Sequence, residues 1–196
     1  MCKFSEDSRQ KLGNAVIYIA NHTEQLSKTK LLKLLFLMEE YMVKRYHVPF
    51  MGLPFEIWQA GPVAKDIFID LSDGPFLLKD FVKTEVQKDA TYIRAIKPFC
   101  DDEFSDCEME MMDEIIQKYG KKTAKQLVAE VHKEGSLWFN AAKKHGLLTA
   151  FNKGLCNNSD YTIDFSEELS DCAREDYKES LAIHQTANIL KAQGHV

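Results

Sequence analysis

The chain reads as an α+β fold that is predominantly α-helical, a helical core carrying a small antiparallel β-hairpin. Apolar residues recur at helical spacing along most of its length. Ser or Thr stands at the head of several of these stretches, twice with Glu or Gln three residues on. Strict alternation of apolar and charged residues is concentrated in about 82–96.

The first helix is predicted from about Ser8 to His22, with Leu12, Val16 and Ile19 on one side. Ser27 suits the N-cap of a second helix running to about Tyr46. Leu31, Leu32, Leu34, Leu35, Phe36, Leu37 and Met38 leave that helix few positions for solvent, which places it at the centre of the core. Pro49, Gly52 and Pro54 mark a loop, and Phe55 to Gln59 alternates like a short strand. Gly61-Pro62 is predicted to turn the chain into a helix ending near Leu71, with Pro62 at its first position. Residues 82–86 and 92–96 form the expected hairpin around Lys88-Asp89-Ala90. Ser105 with Glu108, and Thr123 with Gln126, are candidate capping boxes for helices reaching Tyr119-Gly120 and about His132. Ser136 caps a further short helix that ends at Gly146. Residues 151–165 are loop-rich with one short strand at Tyr161-Thr162-Ile163, and Ser166 is expected to cap a last helix to about 192. With no repeat and no interdomain linker, residues 1–196 read as one domain with its core over about 8–180.

Composition narrows the function classes. The 196 residues carry a net charge of −5, a poor match for phosphate backbones, so nucleic-acid binding is disfavoured. The longest apolar stretch, Leu31 to Met42, includes Lys33, Glu39 and Glu40 and is too short and too charged to span a membrane. The first residues have no apolar segment of the kind that directs export, so the expected location is the cytoplasm. Five cysteines at irregular spacing, without a CxxC pair, predict reduced thiols.

The sequence carries no catalytic pattern. A Cys–His hydrolase needs a thiolate beside an orienting base, yet Cys107 and Cys172 fall on helical stretches and read as small buried hydrophobes. His132 has no histidine or cysteine three or four residues on, and Cys100 and Cys107 are not at a zinc spacing. The acidic run Asp101-Asp102-Glu103 lacks the glycine and alternation of a calcium loop. Neither GxxxxGK[ST] nor GxGxxG occurs. No cofactor and no metal is expected. Lys28, Lys30 and Lys33, like Lys121, Lys122 and Lys125, read as solvated faces. Trp58 before Gly61-Pro62, and Trp138 after His132-Lys133-Glu134-Gly135, read either as core or as the frame of a partner groove.

Three blocks then carry a resemblance. They are Thr29 to Phe36, Phe55-Glu56-Ile57-Trp58-Gln59-Ala60-Gly61-Pro62-Val63, and Tyr119-Gly120 followed by Leu127, His132-Lys133-Glu134 and Trp138. In order and spacing they resemble the Panacea domain, which includes SocA-type proteins, over roughly residues 8 to 180. Ile57, Ala60 and Val131 depart from the family's usual alanine, tyrosine and threonine. The resemblance implies an antitoxin that binds and neutralises a toxin protein encoded next to it, in a family found in bacteria, phages and prophages. SocA-type members also deliver the toxin to a AAA+ protease as proteolytic adaptors. No catalytic residues are implied, and the chain is not expected to be an enzyme. A thiol-dependent hydrolase and a DNA-binding autoregulator are the alternatives. The residues singled out as partner-binding or motif positions are Lys30, Lys33, Trp58, Gly61, Pro62, His132 and Trp138. Trp58 and Trp138 are expected to frame one apolar surface, with His132 fixing the turn before Trp138 by a hydrogen bond.

Overall fold

The computed structural model describes residues 4–72, 74–87 and 90–193. The fold is α+β and predominantly helical, with two small antiparallel two-stranded sheets. In chain order the elements are α1 (Glu6–His22), α2 (Lys28–Tyr46), β1 (Glu56–Trp58), β2 (Gly61–Val63), α3 (Lys65–Asp70), β3 (Val82–Val86) and β4 (Thr91–Ala95). Then come α4 (Asp106–Tyr119), α5 (Ala124–Val131), α6 (Leu137–Lys144), α7 (Leu147–Asn152), a 3-10 turn (Phe165–Glu168) and α8 (Asp171–Ala192).

The central helix is α2. Apolar on almost every side, it has to be surrounded, and α1, α3, α4, α5, β2, β4 and the 3-10 turn all pack on it. The Ser27 hydroxyl accepts from the Lys30 amide at 3.2 Å and starts the helix. Glu39 is 1% exposed, and its carboxylate accepts from the amides of Phe50, Met51 and Gly52 at 3.2, 2.9 and 3.2 Å. Those bonds pin the loop that leaves the helix. α1 crosses close to β3, because Gly13 has no side chain to meet the Phe81 ring. A Cβ there would sit 2.2 Å from the ring.

The hairpin β3–β4 pairs Val82 with Ala95 and Val86 with Thr91. Residues 88 and 89 of its expected turn lie outside the described residues. It is fastened to the head of α2 by the Ile93 amide, which donates to Leu26 O at 2.8 Å. Both capping boxes form, at Ser105 with Glu108 and at Thr123 with Gln126. The Tyr161–Ile163 segment lies against β1, with Ile57 N bonded to Tyr161 O and Ile163 N to Phe55 O.

Four expectations are corrected. Pro62 does not open a helix: it sits in β2 opposite Ile57, and α3 starts at Lys65. The strand tolerates it because Ile57 turns its own amide away to Tyr161 O, at a step where the ladder asks no N–H of Pro62. Gly120 ends α4 in right-handed backbone, φ −60°, and not in the left-handed conformation of a C′ glycine. Residues 151 and 152, expected in the loop-rich stretch, instead end α7 (Leu147–Asn152), which starts after a left-handed Gly146. Ser166 does not cap the last helix. The 3-10 turn ends in an extended Leu169, and Ser170 becomes the N-cap of α8.

α8 lies along α1. Its first half buries Ala173 and Tyr177, whereas its second half is held by polar contacts. The Ser8 hydroxyl donates to the Asn188 side chain at 2.6 Å, and Lys191 pairs with Asp7 at 2.6 Å. No described helix is long and apolar enough to cross a membrane.

Candidate functional site

All seven singled-out residues lie in one connected cluster around α2. Lys30 and Lys33, expected on a solvated face, are instead 4% and 1% exposed. They lie on a helix walled in on nearly every side, so their amines reach along the core to main-chain carbonyls. Lys33 Nζ donates to Pro62 O at 2.7 Å. Lys30 Nζ donates to Gly120 O at 2.7 Å and to Glu24 O at 3.2 Å. Each amine thus clips α2 to another of the three sequence blocks. Burial without a carboxylate partner pulls the Lys33 amine down to about 7.

Gly61 is where the second block meets this clip. Its φ is +98°, a conformation that side chains rarely adopt. A Cβ would come within 2.7 Å of Lys33 Cε and 3.0 Å of Val131 Cγ2. The position therefore needs glycine twice over, for its backbone and for the approach of Lys33. Val131 fills the space on the other side.

The two tryptophans converge as expected. Trp138 Nε1 donates to Trp58 O at 3.2 Å, tying α6 to the end of β1. Trp138 is 3% exposed and belongs to the core, with Phe151 behind it at 6.3 Å. Trp58 is only partly buried: its indole N–H is held by Glu56 at 2.8 Å and its ring meets Phe68 edge-on at 5.0 Å. They do not frame an open surface.

His132 acts differently from the expectation. Its ring lies flat on Trp138, with centroids 3.8 Å apart and planes 12° from parallel. The turn before Trp138 is fixed by Ser136, whose hydroxyl donates to Val131 O at 2.6 Å and accepts from Phe139 N at 3.1 Å. His132 Nε2 is buried and has no hydrogen-bond partner among the described residues. Burial, helped by the neighbouring Lys33 charge, holds the ring down to about 4, so it is neutral at pH 7.

Other groups weighed from the sequence are not drawn in. Cys107 and Cys172 are exposed thiols and not the buried hydrophobes expected; Cys100 is exposed as well, Cys156 is half-buried, and Cys2 lies outside the described residues. Cys100 Sγ donates to Asp102 and not to an imidazole. With Asp101 these two bring ligand atoms within 4.8 Å of one another, fully on the surface. Sequence reasoning missed Ser136, Glu56 and Phe68 as supports of the cluster. A cap signal was present for the first; the pairing of the other two with Trp58 is a tertiary contact without a local signature.

The sequence model of a family described as antitoxin SocA-like, Panacea domain, matches residues 31–139, more than half of the chain. The chain belongs to the SocA-like Panacea family. No curated protein and no solved structure matches it. The matched segment begins at the first residue of α2 after Lys30 and ends one residue past Trp138, so it encloses most of the clipped cluster. Within this SocA-like chain α1 and α8 lie outside the match.

Proposed function

We propose that this chain is an antitoxin that neutralises a toxin protein by binding it directly, without catalysing a reaction. Membership of the SocA-like antitoxin family carries this reading, because an antitoxin role implies a toxin partner. The cluster adds to it. The buried side chains of Lys30, Lys33 and Trp138 end on main-chain carbonyls and are closed off from solvent. A nucleophile or general base has to reach its substrate, so these residues suit a scaffold better than a catalytic centre.

In this reading the toxin is encoded beside the chain, the complex forms in the cytoplasm, and a AAA+ protease removes the captured toxin. The test is co-expression with each neighbouring reading frame. One frame should arrest growth alone and be harmless with this chain, and the two products should co-purify. Failure of every neighbour to be both toxic alone and suppressed by this chain would sink the proposal. Replacing all five cysteines by serine should leave suppression intact, which a thiol hydrolase would not survive. Toxin that persists when the protease is deleted, and disappears when it is present, separates the adaptor role from simple sequestration.

A further inference from the structure

The hairpin β3–β4 has one edge covered and one edge open. Ile96 N donates to Phe81 O at 3.0 Å and Gln87 N to Ala90 O at 2.9 Å, so the odd-numbered residues of β3 are those that exchange bonds with β4. Thr84 and Val86 therefore turn their amides and carbonyls to the other side. The far edge of β4 is covered. Ile93, opposite Thr84, donates to Leu26 O at 2.8 Å, and Ser27 pairs with Tyr92. On the outer edge of β3, among the described residues, only the Val82 amide is engaged, with Leu78 O at 3.0 Å. Lys83 is exposed there, and Val86 is 78% exposed. An open strand edge is a template for another strand.

The sequence of that edge is complementary to itself. It reads Val82-Lys83-Thr84-Glu85-Val86. Laid antiparallel to a second copy about Thr84, each Val82 faces the other copy's Val86, and each Lys83 faces the other copy's Glu85. The two Thr84 residues exchange a pair of main-chain bonds. Each Val86 amide meets the other copy's Val82 carbonyl, which asks nothing of the Val82 amide already in use. Lys83 and Glu85 fall at the non-bonded positions, where facing side chains come closest. Sliding the copies by two residues sets Lys83 against Lys83 or Glu85 against Glu85. Sliding by one puts the outward amides out of line. Main chain and charge together accept a single register. Glu85 is held in its own hairpin by Arg94 at 2.9 Å, whereas Lys83, 59% exposed, reaches it only at 3.5 Å. Lys83 is thus the looser partner and is placed to pass to the second copy's carboxylate.

We infer that this edge is where two copies of the chain pair, β3 against β3, about a two-fold axis at Thr84. The inference stands apart from the antitoxin reading. A strand of five residues makes a small contact, so the dimer dissociates on dilution and is not obligate. Surface charges add little affinity at such a contact; their part is to fix the register.

Sedimentation velocity on the full chain over a concentration series is the test. The wild type should pass from monomer to dimer as concentration rises. Lys83→Glu and Glu85→Lys each set like charges opposite one another twice, and each alone should weaken the dimer at least ~10-fold. Mixed in equal amounts, the two variants oppose unlike charges again and should recover the dimer, which a folding fault in either one would not allow. A wild type that stays monomeric at the highest concentration overturns the inference. So does a dimer indifferent to the single changes, or a mixture that stays monomeric. A monomeric wild type whose suppression of a neighbouring frame is lost with Lys83→Glu assigns the edge to a strand of the toxin and overturns the second copy as its occupant.

Discussion

The clipped cluster and the groove beside α3, lined by Leu53, Ile69, Phe76 and Leu77, are neighbours made from opposite materials. In the cluster, charged and aromatic residues that look like functional groups are sealed inside: Lys33 ends on Pro62 O and Trp138 on Trp58 O. In the groove, plain hydrophobes stand in the open, and the polar residue that matters most, Asp70, points back at main chain to hold them there. The family match covers α3 and all of the cluster but Lys30, and not Phe4 or the end of α8 at the far side of the groove. The difference teaches that a distinctive sequence pattern can record how a scaffold is clipped together, while the apolar side chains left in the open carry no local signature.

That contrast makes substitutions in the cluster changes of stability first of all. The largest effect is expected from Trp138→Ala, which removes a buried ring, its stack with His132 and the bond to Trp58 O. Thermal and denaturant unfolding should report a loss of ~3–5 kcal/mol. An unaltered melting temperature combined with lost toxin binding would reverse the assignment of scaffold and surface.

Gly61→Val comes next. The side chain has to accept φ +98° and push aside Lys33 and Val131, so a loss of ~1–3 kcal/mol is expected. The turn is closed by glycine chemistry only if that loss is seen by calorimetry.

Lys33→Met sharpens the comparison more than it damages the fold. It removes one hydrogen bond but also a buried amine, and the net change at pH 7 should stay within ~1 kcal/mol. Its signature is in the pH profile. The folded amine lies at about 7 against 10.5 in the unfolded chain, so the unfolded chain binds more protons between those values. The wild type should therefore gain stability as pH rises from 7 to 10.5, and the variant should lack that slope. Identical slopes would mean that Lys33 is solvated after all.

The smallest effect at neutral pH is expected from His132→Phe, a few tenths of a kcal/mol, since ring stacking is kept. The difference grows in acid. His132 titrates near 4 in the fold and near 6.5 when unfolded, so its contribution is full above 6.5 and is lost as pH falls towards 4. Melting curves across that window should show the variant losing less stability than the wild type. Parallel losses would remove His132 from the acid response.

Much of this was legible in residue order. Ser27, Ser105, Thr123 and Ser136 cap helices where the capping rules place them, because a cap is a contact between residues three apart. The hairpin alternation and the apolar girdle of α2 are equally local patterns. The meeting of the three blocks was legible only through their family resemblance. Pro62 and Ser166 were misplaced for one common reason. Each is locally fit for a helix start, and each was claimed by something distant: β1 opposite Pro62, and the docking of the 3-10 turn beside α2 for Ser166.

The sequence by itself determined the periodicities, the caps and the residue types at the tight turns, because these depend on neighbours within one helical turn or one strand step. Only the tertiary structure decided that Lys30 and Lys33 point inward, that His132 stacks instead of bonding, and that Phe76 stands exposed. Whether a side chain meets water, a carbonyl or another ring is settled by elements far away in the chain, and no local pattern records their position.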